Sequence, residues 1–159
     1  MKKIIPIAVL FLLFLFSNCS KNLPDSGATV AVSMANEWWV TFTQGGVDLL
    51  GAHVKVSTYN TASNDDSLWL DDLGNIWNFK CKTIANFQAL TFSVDSSQND
   101  YYDIRVHIAN GKIFKGGGVS KTGNKTDSIY MEASFGDDPG NTYIISGVAR
   151  TMYSEDDYN

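Results

Sequence analysis

Short runs of alternating apolar and polar residues fill the chain from residue 38 to residue 151. Ile104, Val106 and Ile108 alternate with Asp103, Arg105 and His107, and Ile129, Met131, Ala133 and Phe135 with Tyr130, Glu132 and Ser134. Leu90, Phe92 and Val94 interleave with Thr91 and Ser93, and Trp77, Phe79 and Cys81 with Asn78, Lys80 and Lys82. Successive strand side chains point to opposite faces, so each run predicts a strand with one dry and one wet face. The pattern predicts strands over residues 38–42, 54–60, 67–71, 76–83, 89–95, 102–109, 112–115, 128–135 and 143–151. Asp72 to Asn75 and Gly136 to Asn141 read as turns, Asn110-Gly111 as a two-residue hairpin, and Gly116 to Gly118 as a break or bulge. Residues 29–36 leave room for one helical turn. About eight to ten one-sided strands joined by short turns bury their dry faces in a closed sheet or a sandwich. The expectation is all-β: a single antiparallel up-and-down β-barrel over residues 36–153, followed by a loose acidic tail at 154–159.

The first residues follow another rule. Met1-Lys2-Lys3 is basic, and residues 4–16 are apolar but for one Pro, too short for a comfortable membrane span and suited to a secretory signal. Phe16-Ser17-Asn18-Cys19 then resembles the lipobox of bacterial lipoproteins, with Phe in place of Leu and Asn in place of Gly or Ala, as in the looser version found in Bacteroidetes. This predicts a signal peptide over 1–18, acylation of Cys19 and a polar tether over 19–35. An anchored chain belongs to the cell envelope. No acidic tract follows Cys19, which points to the periplasmic face of the outer membrane. The other cysteine, Cys81, lies on a predicted dry face and reads as a buried, inert thiol.

Charge and motifs exclude more than they assign. Loss of residues 1–18 removes Lys2 and Lys3 and no acid, moving the formal net charge from −5 to −7. That acidity argues against nucleic acid as a partner and against electrostatic attachment to anionic lipid. The chain has two histidines, His53 and His107, and no Gly-x-Ser-x-Gly elbow, so no serine hydrolase machinery is visible. Asp65-Asp66, Asp71-Asp72 and Asp137-Asp138 sit in or beside turns, where backbone reasons alone favour Asp, and no calcium-loop spacing appears. No zinc ligand set is visible, and no metal or cofactor is expected.

Two stretches carry a resemblance. In Ala35-Asn36-Glu37-Trp38-Trp39-Val40, Trp38 resembles the tryptophan that plugs the closed end of lipocalin-like barrels, with Asn36 where that fold has a turn glycine. The resemblance implies a basic residue of the last strand over the indole. Arg150 is the candidate, sharing parity with Ile144 and Val148; the alternative is that it snorkels outward. The stretch "TYNTASNDDSLWLDDLGNIWNFKCK" (58–82), with "EWWVTF" (37–42), "LTFS" (90–93), "GNKTDSIYMEASFGDDPG" (123–140) and "YIISGVART" (143–151), resembles the Bacteroidetes lipoprotein family labelled lipid-binding putative hydrolase. The resemblance implies a lipocalin/calycin-like barrel and an apolar ligand. It transfers no catalytic motif, and the glycine that closes the family's final segment is replaced by Met152.

The remaining signal is aromatic. Tyr59, Trp69, Trp77, Phe79 and Phe92 are candidates to line a ligand cavity; they serve equally to fill a solid core. The sequence therefore leaves three readings: a membrane-anchored protein binding a small apolar molecule or lipid in the barrel, a filled barrel acting through its outer surface, and an uncharacterised hydrolase.

Overall fold

The computed structural model describes residues 27–158; the signal segment, Cys19 and the tether up to residue 26 lie outside the described residues. Val30–Ser33 forms one 3-10 turn. Nine strands follow: β1 (Asn36–Gln44), β2 (Val47–Asp48), β3 (Val54–Asn60), β4 (Ser67–Asp71), β5 (Lys80–Asn86), β6 (Thr91–Gln98), β7 (Arg105–Val119), β8 (Lys125–Phe135) and β9 (Tyr143–Ala149). From β3 to β9 every strand pairs antiparallel with the next, β1 pairs with β3, and β9 returns to β1 from Trp38↔Ala149 to Thr43↔Ile144. Eight strands thus close into a barrel that has no free edge, while β2 extends β1 as a short hairpin.

The dry faces meet inside. Val40, Val56, Leu70, Cys81, Met131 and Ile145 have no accessible surface at all. A void able to hold one water would itself expose the atoms lining it, so the waist of the barrel is packed by its own side chains. Gly147 makes this close packing possible where β9 crosses β1: a Cβ there would lie 1.9 Å from the Trp39 carbonyl oxygen.

Several local expectations are corrected. Asn110-Gly111 does not turn the chain. Asn110 adopts φ +53° as the extra residue of a bulge within the single long strand β7, and the hairpin comes later, at residues 120–124. The bulge reverses the parity of β7, so that Val106 and Ile108 before it and Ile113 after it all face inward. Residues 76–79 are a turn and not strand, because their amides are captured by a carboxylate described below. Asn36, at the position of the turn glycine, opens β1 without a positive φ, and its Oδ1 accepts the Glu37 N–H at 2.9 Å. The acidic tail is not loose as far as residue 158. Asp156 accepts from the backbone N–H and hydroxyl of Thr122 (2.9 and 2.6 Å) and from the Thr151 hydroxyl (2.6 Å), and Tyr158 stacks on His53 at 4.0 Å.

Candidate functional site

The two ends of the barrel are built from different parts. At the end nearest the 3-10 turn, Trp38 is buried beneath Ala31 and Met34. Its indole N–H donates to Thr58 Oγ1 at 2.8 Å, and the Thr58 hydroxyl donates to the Met34 carbonyl at 2.5 Å. Arg150 is not part of this end's interior. β9 pairs Ala149 with Trp38, which turns Tyr143, Ile145 and Ala149 inward and Arg150 outward. There its guanidinium forks onto Asp157 (2.7 and 2.6 Å) and reaches Glu37 at 2.7 Å. Of the two placements left open by the sequence, the outward one holds; parity could not choose because both faces of β9 contain apolar residues.

The opposite end is lined by aromatic rings. Phe42 near the end of β1, Phe79 before β5, Phe135 at the end of β8 and Tyr143 at the start of β9 meet at one rim because each lies at a strand terminus on that side. Trp77 lies across them. Its ring is parallel to that of Phe135 at 4.7 Å and 2°, with Tyr143 at 5.3 Å and Phe42 at 6.1 Å. Trp77 is only half-buried, whereas Phe79 and Phe135 beneath it are buried. This rim is an apolar surface that reaches solvent, and it rests on the packed waist.

Carboxylates hold the rim in place. Asp72 is fully buried and accepts four backbone N–H groups, from Gly74 (2.8 Å), Phe79 (2.9 Å), Ile76 (3.1 Å) and Trp77 (2.8 Å). A buried carboxylate is tolerated when hydrogen bonds replace its hydration, and here those bonds shape the turn that carries Trp77. Asp137 accepts the Trp77 indole N–H at 3.0 Å and the Tyr102 hydroxyl at 2.8 Å. Partial burial pulls the Asp137 carboxyl upward, but these two bonds outweigh it and hold the group below the usual range. Asp138 accepts the Tyr143 hydroxyl in a short bond and the Asn141 amide at 2.9 Å. Asp71 takes the hydroxyls of Tyr101 (2.7 Å) and Tyr59 (2.8 Å).

The phenols respond as donors to carboxylates should. Tyr143 is pushed up to about 12, first by its bond to Asp138 and then by burial. Tyr101 rises to about 12 through Asp71, and Tyr102 to about 12 through burial and then Asp137. Tyr59 rises through burial and Asp71. Burial, with Asp100, Asp72 and Asp71 nearby, lifts the Cys81 thiol to about 12. The cluster thus holds its protons tightly, which suits a rigid frame and not a nucleophile poised for attack. Among the described residues, no three His, Cys, Asp or Glu side chains gather as metal ligands do.

The five aromatic candidates separate into three groups. Phe79 and Phe92 are buried core, Trp77 caps the rim, and Tyr59 and Trp69 point outward, paired with each other across β3 and β4. Parity carried that last signal: Tyr59 shares a face with Lys55 and Ser57, and Trp69 with Ser67 and Asp71. Asp72 and Asp137 escaped sequence reasoning because an acid in a turn looks alike whether it meets water or four amides. Cys19 lies outside the described residues.

The fold and rim define a class: a closed, lipocalin-like antiparallel barrel with a packed interior and an aromatic end. The chain belongs to the family described as lipid-binding putative hydrolase, whose sequence profile matches residues 23–154. Comparison with curated proteins gives no significant match.

Proposed function

We propose that the protein is a membrane-anchored lipoprotein that binds a small apolar molecule, lipid in class, at the aromatic end of its barrel. Family membership and the barrel support a lipid-binding role. The observation that carries the location is Trp77: a half-buried indole laid flat on Phe135 over an interior with no space of its own. An apolar chain enters such a site by taking the place of the indole, which needs one hydrogen bond to Asp137 broken and the ring swung aside. Apolar pockets in barrel mouths commonly use aromatic walls in this way. Acylation of Cys19 would hold the domain at the outer membrane, on its periplasmic face, and several acyl chains on one cysteine give stable attachment.

Native mass spectrometry of the gently purified protein, before and after incubation with a lipid panel, tests the reading. A co-purifying or captured lipid at near-equal stoichiometry is expected, with Trp77→Ala changing the amount bound. A protein that stays empty in both forms overturns it. The anchor is tested separately: Cys19→Ala should release the protein from membranes with its fold intact, and a variant that still pellets refutes acylation. A second reading, a filled barrel acting through its surface, is favoured by the hairpin loop at the same end. There Val47, Leu49 and Leu50 are exposed between glycines.

A further inference from the structure

The outward positions of β3, β4 and β5 carry Tyr59, Trp69, Lys55, Lys80 and Lys82 among Ser57, Ser67 and Asp71. Tyr59, Trp69 and Lys82 lie side by side across the three strands. The ammonium groups of Lys80 and Lys82 sit over the Trp69 ring, 4.6 and 4.9 Å from its centroid. Exposed Tyr101 continues the strip towards the aromatic end, its hydroxyl on Asp71. At the other end Ile84 is 69% exposed, and exposed Val30 and Val32 of the 3-10 turn lie nearby, where Ser33 reaches the Phe87 carbonyl beyond β5. Lys82 forms no ion pair among the described residues, Lys80 meets Asp100 at 3.6 Å, and Asp71 is already committed to two phenols.

We propose that this β3–β4–β5 face is a docking surface for the headgroup region of an anionic phospholipid bilayer. Indole and phenol rings with one polar edge favour the boundary between headgroups and acyl chains, and lysines beside them reach the phosphates. The net charge of −7 opposes approach of the domain as a whole, so docking rests on a local face, with the Lys80 and Lys82 ammonium groups turned to the surface. The strip also lies on the side where the chain leaves the barrel. The Val30 N–H is held by Asn64 in the turn between β3 and β4. From Cys19 to Gly27 is eight residues, which span at most about 28 Å fully extended. If Cys19 is acylated, as proposed above, this end of the barrel stays within that distance of the bilayer. Other occupants fit less well. A sugar stacking on Trp69 would need the ring surface that the ammonium groups cover, and lysine is depleted at protein–protein interfaces.

The test uses the purified mature protein, whatever its acylation. It is mixed with vesicles of phosphatidylcholine alone or with phosphatidylglycerol, each carrying lipids brominated close to the headgroup. Tryptophan quenching is expected with phosphatidylglycerol, lost in Trp69→Phe, and weakened by salt. In Lys80→Glu/Lys82→Glu the apparent affinity of the quenching should fall about tenfold or more, with circular dichroism confirming the fold. Quenching that survives Trp69→Phe, or that is the same with and without phosphatidylglycerol, overturns the docking face. Quenching lost in Trp77→Phe but not in Trp69→Phe does so as well, while leaving a ligand at the aromatic end. Quenching lost only in Trp69→Phe, in a protein that captures no lipid in its barrel, supports the docking face and refutes the barrel site.

Discussion

Both ends of this barrel are closed by tryptophan, and the two closures differ in what must move to open them. Trp38 is buried under backbone: the 3-10 turn covers it, and its hydrogen bond passes through Thr58 to a main-chain carbonyl. Nothing can enter there unless residues 30–36 lift off the barrel. Trp77 packs on side chains and keeps part of its surface in solvent, and its indole N–H donates to Asp137 in the turn between β8 and β9. In the proposed function a side-chain rotation opens that end. Aromatic content alone does not distinguish a plug from a gate; what distinguishes them is whether the ring is trapped by chain or rests against it.

The comparison is broken most directly at Trp38. Trp38→Ala should lower stability by about 3–5 kcal/mol, because a large fully buried side chain leaves a cavity the barrel cannot collapse. Urea denaturation checks this, and a loss near zero would mean that the 3-10 turn does not seal the end. Asp72→Ala comes next, at about 2–3 kcal/mol, since it leaves buried amides without an acceptor. Its distinguishing effect is release of Trp77, read as loss of the near-ultraviolet tryptophan signal. Trp77→Ala should cost less, about 1–2 kcal/mol, because part of the ring already meets solvent. A value equal to that of Trp38→Ala would erase the distinction between the two ends.

Alkali should act on the aromatic end before the other. Tyr102 and Tyr143 there, with Tyr101 at its margin, hold their protons to about 12, against an ordinary value of 10.0. Folded-state values raised above the unfolded ones give stabilisation that is complete below pH 10 and lost as the pH rises through 12. Phenolate absorbance followed beside tryptophan fluorescence should show the rim loosening over that interval, with Trp38 still native. The smallest effect concerns the tail. Bonds from Thr122 and Thr151 hold the Asp156 carboxyl well below its usual range, so its contribution is present above the unfolded carboxylate value and disappears as pH falls below it. Asp156→Asn should leave the barrel intact and speed proteolysis at residues 154–158; unchanged cleavage would show that the tail is held elsewhere.

Much of the fold was legible because the alternation is clean. Val106 and Ile108, Ile129 to Phe135, and Phe79 with Cys81 face inward as the pattern predicts. For Arg150 the alternation left both directions open, because Ile144 and Val148 are as apolar as Tyr143 and Ile145, so only the pairing with β1 chooses the buried set. Asn110-Gly111 carries the chemistry of a hairpin turn. It makes a bulge because β6 and β8 already flank β7 on both sides of it, and Gly111 leaves room for the Phe92 ring, which a Cβ would meet at 2.6 Å. Of the candidate site, Trp77 was named from sequence, but apart from Asp72 in its own turn its partners come from β1 (Phe42) and from the β8–β9 hairpin (Phe135, Asp137 and Tyr143), both distant along the chain.

Taken by itself, the sequence determined most of the strands and inward faces, the all-β class and an unreactive setting for Cys81, since each of these depends on the two-residue period of a strand and on burial that follows from it. The tertiary structure alone decided which tryptophan lies under chain and which keeps an edge in solvent, that the residues of the waist leave no accessible surface, and that Tyr59 and Trp69 join Lys80 and Lys82 on one outer face. Those outcomes depend on register between strands and on where distant turns converge, and neither is written in any single stretch of the chain.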